Sequence, residues 1–208
     1  YGVGGFVLFG GMAPVAAHLA DRFSRSALMV IFHFGIGLAA ILAAMAQSIW
    51  QLSAAIGMIG IFAAIYHPVG IAMLIQSNQR IGFRLGVNGV FGNMGVAAAP
   101  LLIGVLLTMG DWRLCFAVSG LFCIAYGVAF VMALDGDAPS PSRSAKKGSS
   151  GFAPNWKLAL GAMLLSTASG GFIFGAMTFV VPRYFEISLT GISTSVAITG
   201  LLAAIVYA

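Results

Sequence analysis

The sequence predicts an all-α membrane protein in which two helical bundles are joined by a polar linker, and three observations predict it. Of the 208 residues, 60% are hydrophobic and only 7% charged, with a mean hydropathy of +1.02, a composition that belongs to lipid rather than to water. The apolar residues form continuous runs near 1–18, 27–46, 52–75, 85–108, 113–134, 157–180 and 194–208, without the period-two alternation of a membrane barrel. Between the fifth and sixth runs lies "DGDAPSPSRSAKKGSSGFAPN", residues 135–155, rich in Ser, Pro, Gly and Lys, which is the composition of a flexible linker. Residues 1–134 therefore read as one bundle, 135–156 as a linker and 157–208 as the start of a second bundle.

Taken in order, the first run opens with the chain itself, with no initiator Met and no signal-peptide n-region, and the last run ends with it. The sequence thus reads as an internal piece of a longer protein. The turn "AHLADRFSR", residues 17–25, follows the first run. Asp21 stands where it can face the positive N-terminus of the next helix, and Arg22 and Arg25 where they can pair with carboxylates or helix C-termini of the other bundle. The same residues also suit a plain topogenic turn. The second run carries His33 near Gly35 and Gly37, read as a structural histidine.

The third run, Leu52 to Ile75, has 24 residues and would rise about 36 Å as a helix, enough to cross a hydrocarbon layer of ~30 Å with some tilt. It contains "YHPVG". On a helix Gly57, Gly60, Ala64 and His67 share one stripe, which should meet protein or water rather than lipid. Pro68 frees the carbonyl of Ala64 and marks a kink. An ionisable ring about 12 Å from the inner end of a span reads as a proton or substrate group, and alternatively as a neutral histidine satisfied by a neighbouring helix.

The fourth run carries Asn88 and Asn93, suited either to hydrogen-bonding a substrate or to holding helices together. Its glycines, Gly86, Gly89, Gly92 and Gly95, permit close backbone approach, and Pro100 bends the outer half of the helix. They do not cradle a phosphate, since no strand and no GxGxxG precede a helix here. The fifth run follows "GDWRLCF" and holds both cysteines, Cys115 and Cys123, eight positions apart; that is about 12 Å along a helix, too far for a disulfide. In the sixth, Ser166, Thr167 and Ser169 beside Gly170 and Gly171 form a small polar patch suited to close packing.

Successive connections alternate sides, so the ten basic residues report orientation. Arg22, Arg25, Arg80, Arg84, Arg143, Lys146, Lys147 and Lys157 fall on one side, Arg113 and Arg183 on the other. The side with eight, which includes residues 135–156, is assigned to the cytoplasm. Bases scattered singly in this way make no nucleic-acid footprint despite a net charge of +5. His18, His33 and Cys115 lie in separate segments without metal-ligand spacing, so no metal or other cofactor is implied. No carboxylate lies at mid-span depth, which places any acidic coupling group outside this sequence.

Three of these stretches carry a resemblance. "AHLADRFSR" resembles the loop motif of the major facilitator superfamily, GxLaDrxGrr, between its second and third helices: Leu19, Ala20, Asp21, Arg22 and Arg25 match, whereas Ala17, Ser24 and Ser26 depart. "LGVNGVFGNMGVAAAPLLIG", residues 85–104, is similar to the antiporter motif of that superfamily's fifth helix, with Gly86, Gly95, Pro100 and Gly104 in register and Ala99 and Ile103 departing. "GDWRLCF" fits the outside turn before its sixth helix. The order and spacing imply a fragment from part of helix two through part of helix eight. A His-Pro pair in the fourth helix before a glycine-rich fifth also resembles the fosmidomycin-resistance type of exporter.

The resemblance implies a monomeric secondary transporter in the lipid bilayer that exports a small organic molecule by alternating access, coupled to protons. His67 would be the proton or substrate group, Asn88 and Asn93 would line the path, and Asp21 with Arg22 and Arg25 would form a cytoplasmic latch. Uptake of an organic anion is the nearest alternative, disfavoured by the lack of a buried Arg or Lys. An intramembrane hydrolase would need a nucleophile, and Ser119 in "AVSG" follows Ala where such a turn has Gly. A channel would need a filter or an acidic ring that nothing here resembles.

Overall fold

A computed structural model describes residues 2–76, 80–134, 155–190 and 195–207, and helices are the only regular structure among them. In chain order they are α1 (Val3–Ala20), α2 (Arg25–Ala44), α3 (Ile49–Ala63), α4 (Tyr66–Ile75), α5 (Ile81–Met109), α6 (Trp112–Met132), α7 (Trp156–Ser188) and α8 (Val196–Tyr207). Six spans are long and apolar enough to cross a membrane, α3 and α4 together making one of them, and α8 is a shorter apolar helix. The protein is a multi-pass, all-α membrane protein. Residues 135–154, with Arg143, Lys146 and Lys147, lie outside the described residues.

The sequence also sets where helices begin. Ser24 Oγ accepts a hydrogen bond from the Ala27 amide at 3.3 Å to cap α2. At α3, Ser48 Oγ accepts from the Gln51 amide while Gln51 Oε1 accepts from the Gln47 amide at 2.8 Å, a reciprocal cap that satisfies donors the helix cannot. Asp111 does the same for α6 through the Arg113 amide at 3.0 Å.

Two spans differ from the apolar runs. The third is interrupted at Ala64–Ile65, and Pro68 falls in the first turn of α4, where its missing N–H removes no helical bond. The sixth was expected to end near 180, but α7 continues to Ser188. Arg183 and Glu186 pair at 2.7 Å one turn apart, so the charged end that stops an apolar run supports the helix instead.

The described residues fall into two compact units, one holding α1–α4, α6 and most of α5, the other holding Val96–Val105 of α5 with α7 and α8. In the first, α2 packs on α6 and α3, α1 on α3, and α4 on both α1 and α2. Its core gathers Ala16, Ala20, Leu28, Met29, Ile65 and Val69. Val69, just past the helix break, is wholly buried. Without side chains at Gly37 and Gly120, α2 and α6 touch backbone to backbone; a Cβ on Gly120 would lie 2.7 Å from the Gly37 carbonyl oxygen. In the second unit the Tyr207 hydroxyl donates to the Met177 carbonyl at 2.8 Å, tying α8 to α7. A Cβ at Gly170 or Gly171 would meet nothing within 4 Å, so nothing among the described residues packs on the two glycines of the polar patch.

Candidate functional site

The break after Ala64 decides what the third span presents. Before it, Gly57 and Gly60 face α1, where a Cβ on Gly57 would lie 3.2 Å from a Leu8 methyl and one on Gly60 would collide with the Gly5 carbonyl. After it, His67 is exposed, and its ring meets Phe9 of α1 edge-on at 5.9 Å between centroids. The small-residue stripe therefore leads along α1 to the imidazole.

Tyr66, next to His67 and not singled out by the sequence, ties this turn to α5. Its hydroxyl donates to Asn88 Oδ1 at 2.6 Å, and its ring contacts His67 at 5.6 Å and Phe32 of α2 at 5.4 Å. The only sequence signal for Tyr66 was its place beside the His-Pro pair. Asn88 is half-buried, whereas Asn93 is exposed on another face of α5. The structure thus brings together His67, Tyr66, Phe9 and Asn88 and leaves Asn93 apart.

His33 is the buried histidine, 7% exposed. Its Nδ1 lies 2.7 Å from the Met29 carbonyl, and its ring packs against Phe32, Tyr126 and Phe130. A ring satisfied by its own helix and enclosed by aromatic neighbours holds α2 to α6.

At the loop between α1 and α2, Arg25 Nη1 donates to the Ala72 carbonyl at 3.3 Å. Ala72 lies in the last turn of α4, where carbonyls lack helical partners and the helix end is negative. The helix C-terminus that Arg25 meets thus belongs to its own unit. Asp21 and Arg22 are exposed, and neither forms an ion pair among the described residues. Ser24 rather than Asp21 caps α2.

The glycine-rich helix divides in two. A Cβ on Gly86, Gly89, Gly92 or Gly95 would meet nothing within 4 Å, so this face of α5 is open among the described residues. Pro100 and Gly104 are closely packed. A Cβ on Gly104 would lie 2.8 Å from the Val196 carbonyl oxygen, and one on Gly200 would collide with the Pro100 carbonyl; α5 and α8 approach here because both lack side chains.

At the opposite end of the spans, Arg113 lies over the Trp112 ring at 4.4 Å, faces Asp111 at 3.5 Å and donates through Nη2 to the Ala46 carbonyl at 2.9 Å. The "GDWR" turn therefore fastens the start of α6 to the end of α2. Among the described residues no cluster of three His, Cys, Asp or Glu could hold a metal, and Ser119 makes no hydrogen bond to a histidine.

The family model for the Major Facilitator Superfamily matches residues 2–208. Among curated proteins, the puromycin resistance protein pur8 of Streptomyces alboniger is 35% identical over 114 residues, 53% of this chain and 23% of the relative. Multidrug resistance protein MdtG of Escherichia fergusonii is 33% identical over 132 residues, 56% of this chain and 32% of the relative. MdtG of Yersinia enterocolitica is 32% identical over 123 residues, 58% and 28% respectively. The chain spans about a quarter to a third of the length of these relatives. No solved structure matches significantly.

Proposed function

Because the chain belongs to the major facilitator superfamily, we propose that it is part of a proton-coupled exporter that moves a small organic compound across the membrane by alternating access. The observation that carries this reading is the exposed imidazole of His67 within a span, flanked by Phe9, Tyr66 and, through Tyr66, Asn88. Imidazole is the side chain that changes charge near neutral pH, and ionisable groups at membrane depth mark pathways for protons and substrates. The relatives named for puromycin and multidrug resistance support export. Asp21, exposed and unpaired among the described residues, with Arg22 and Arg25 forms the cytoplasmic latch of this reading. Pro100 and Gly104 give α5 a close approach to α8, where small residues let the two backbones pack together.

The test uses the full-length protein in inverted membrane vesicles carrying an imposed proton gradient, acidic inside. Adding puromycin, or a fluorescent dye of the kind used to follow drug efflux, should release protons from the vesicles and concentrate the compound inside. Compound flux that ignores the gradient would sink proton coupling, and accumulation on the opposite side would reverse the direction.

A further inference from the structure

Tyr66 stands first in α4, directly after the break. Its ring is placed by Phe32 on one side and by Gly70 one turn on, where an added Cβ would lie 3.5 Å from the ring. Held this way, the hydroxyl reaches across to α5 and donates to Asn88 Oδ1 at 2.6 Å. A primary amide has one oxygen and one nitrogen on a planar fork. Turning the oxygen toward Tyr66 turns the two N–H donors away from it. Asn88 is half-buried and His67, in ring contact with the same Tyr66, is exposed.

We propose that Tyr66 is a positioning residue whose hydroxyl fixes the Asn88 amide with its N–H donors turned away from Tyr66, so that this site selects an aromatic compound bearing a hydrogen-bond acceptor, such as a carboxamide oxygen, over the corresponding amine. The inference rests on reading this region as part of the transport path. Phe9 and Tyr66 supply ring edges for the aromatic portion, and Asn88 supplies the donor for the oxygen. An amine offers donors where the site also offers donors. A buried donor left facing another donor loses its hydrogen bond, which is the mismatch sites use to discriminate most strongly.

The experiment uses the full-length protein and a matched pair of fluorescent probes, 2-naphthamide and 2-naphthylmethylamine, with equilibrium binding in detergent and flux in vesicles as separate readouts. Wild type should bind the amide several-fold more tightly than the amine. Tyr66→Phe keeps the ring contacts with Phe32 and Gly70 and removes only the hydroxyl. It should weaken amide binding by roughly fivefold, the worth of one neutral hydrogen bond, and raise KM for the amide by a larger factor than it lowers maximal flux. Asn88→Asp keeps an oxygen for Tyr66 but replaces the donors with a carboxylate, and should reverse the preference toward the amine; it carries the test if Tyr66→Phe fails to accumulate. Equal binding of the two probes by wild type, binding of neither, or an unaltered amide affinity in Tyr66→Phe overturns the proposal. Selective binding without any flux would leave this proposal standing and sink the transport reading instead.

Discussion

His67 owes its position to four residues around it. Ala64 and Ile65 interrupt the helix, Pro68 sits in the first turn of the next one without a wasted N–H, and Phe9 of α1 meets the imidazole edge-on. The ring is exposed within a span, unlike His33, which is enclosed and bonded to its own helix. If His67 carries the coupled proton, His67→Gln keeps a polar side chain of similar size but removes the ring that takes the proton up and gives it away. The full-length variant should accumulate normally, transport at a reduced rate and lose most of the pH dependence of flux. A wild-type pH profile in that variant would move the proton pathway elsewhere, and failure to accumulate would make His67 a structural residue. At this scale the sequence exposed His67, because an ionisable ring in an apolar run is conspicuous. Its partner Tyr66 was hidden, because an aromatic residue in such a run looks like any other apolar neighbour. The bond to Asn88 joins side chains 22 positions apart on separate helices, and only the turn of α4 after the break brings them together.

The spans were legible because they are long apolar runs, three of them opened by a polar cap at Ser24, Ser48 and Asp111. Two features were not. The end of α7 lies in charged sequence that an i,i+3 ion pair makes helical, and the glycines of α2, α5 and α6 look alike on paper while their surroundings differ. Gly120 faces the α2 backbone, where a methyl group would lie 2.7 Å from a carbonyl oxygen and 3.1 Å from Ile41. The atom in the way is backbone, so the helices must separate. Gly86 has open space around it among the described residues. Gly120→Ala should therefore destabilise the protein by about 1 to 3 kcal/mol, the usual cost of overpacking, visible as a lower melting temperature in detergent. Gly86→Ala should leave the melting temperature unchanged or slightly raised, since Ala favours helix over Gly by up to ~1 kcal/mol. Equal effects at the two positions would mean that the α2–α6 crossing is looser than the structure has it. If Gly86→Ala reduces flux at unchanged stability, the open face of α5 matters to the transport cycle rather than to folding.

At the scale of the whole molecule, the question is which way the spans point. The sequence's charge pattern gives one expectation: Arg113 and Arg183 fall in connections opposite those of the other eight basic residues, and the richer side is expected to face the cytoplasm. Three of those eight, Arg143, Lys146 and Lys147, lie outside the described residues, so the structure alone does not carry the count. It does supply a ruler. α7 runs 33 residues from Trp156 to Ser188, about 50 Å by helical rise and longer than the hydrocarbon layer, so Asn155 before it and Ser188 at its far end must emerge on opposite faces of the membrane. Both are exposed. With Cys115 and Cys123 replaced by Ala, Asn155→Cys should react with a membrane-impermeant maleimide only in inverted vesicles, and Ser188→Cys only in intact cells. Reaction of both from one side would mean that α7 does not cross, which would undo the span assignment for the second unit. Reaction with the sides exchanged would leave every helix in place and invert the charge argument. That outcome would put Arg25 and its bond to the end of α4 on the outer face, where a cytoplasmic latch could not be, and the "GDWR" corner with Arg113 inside the cell.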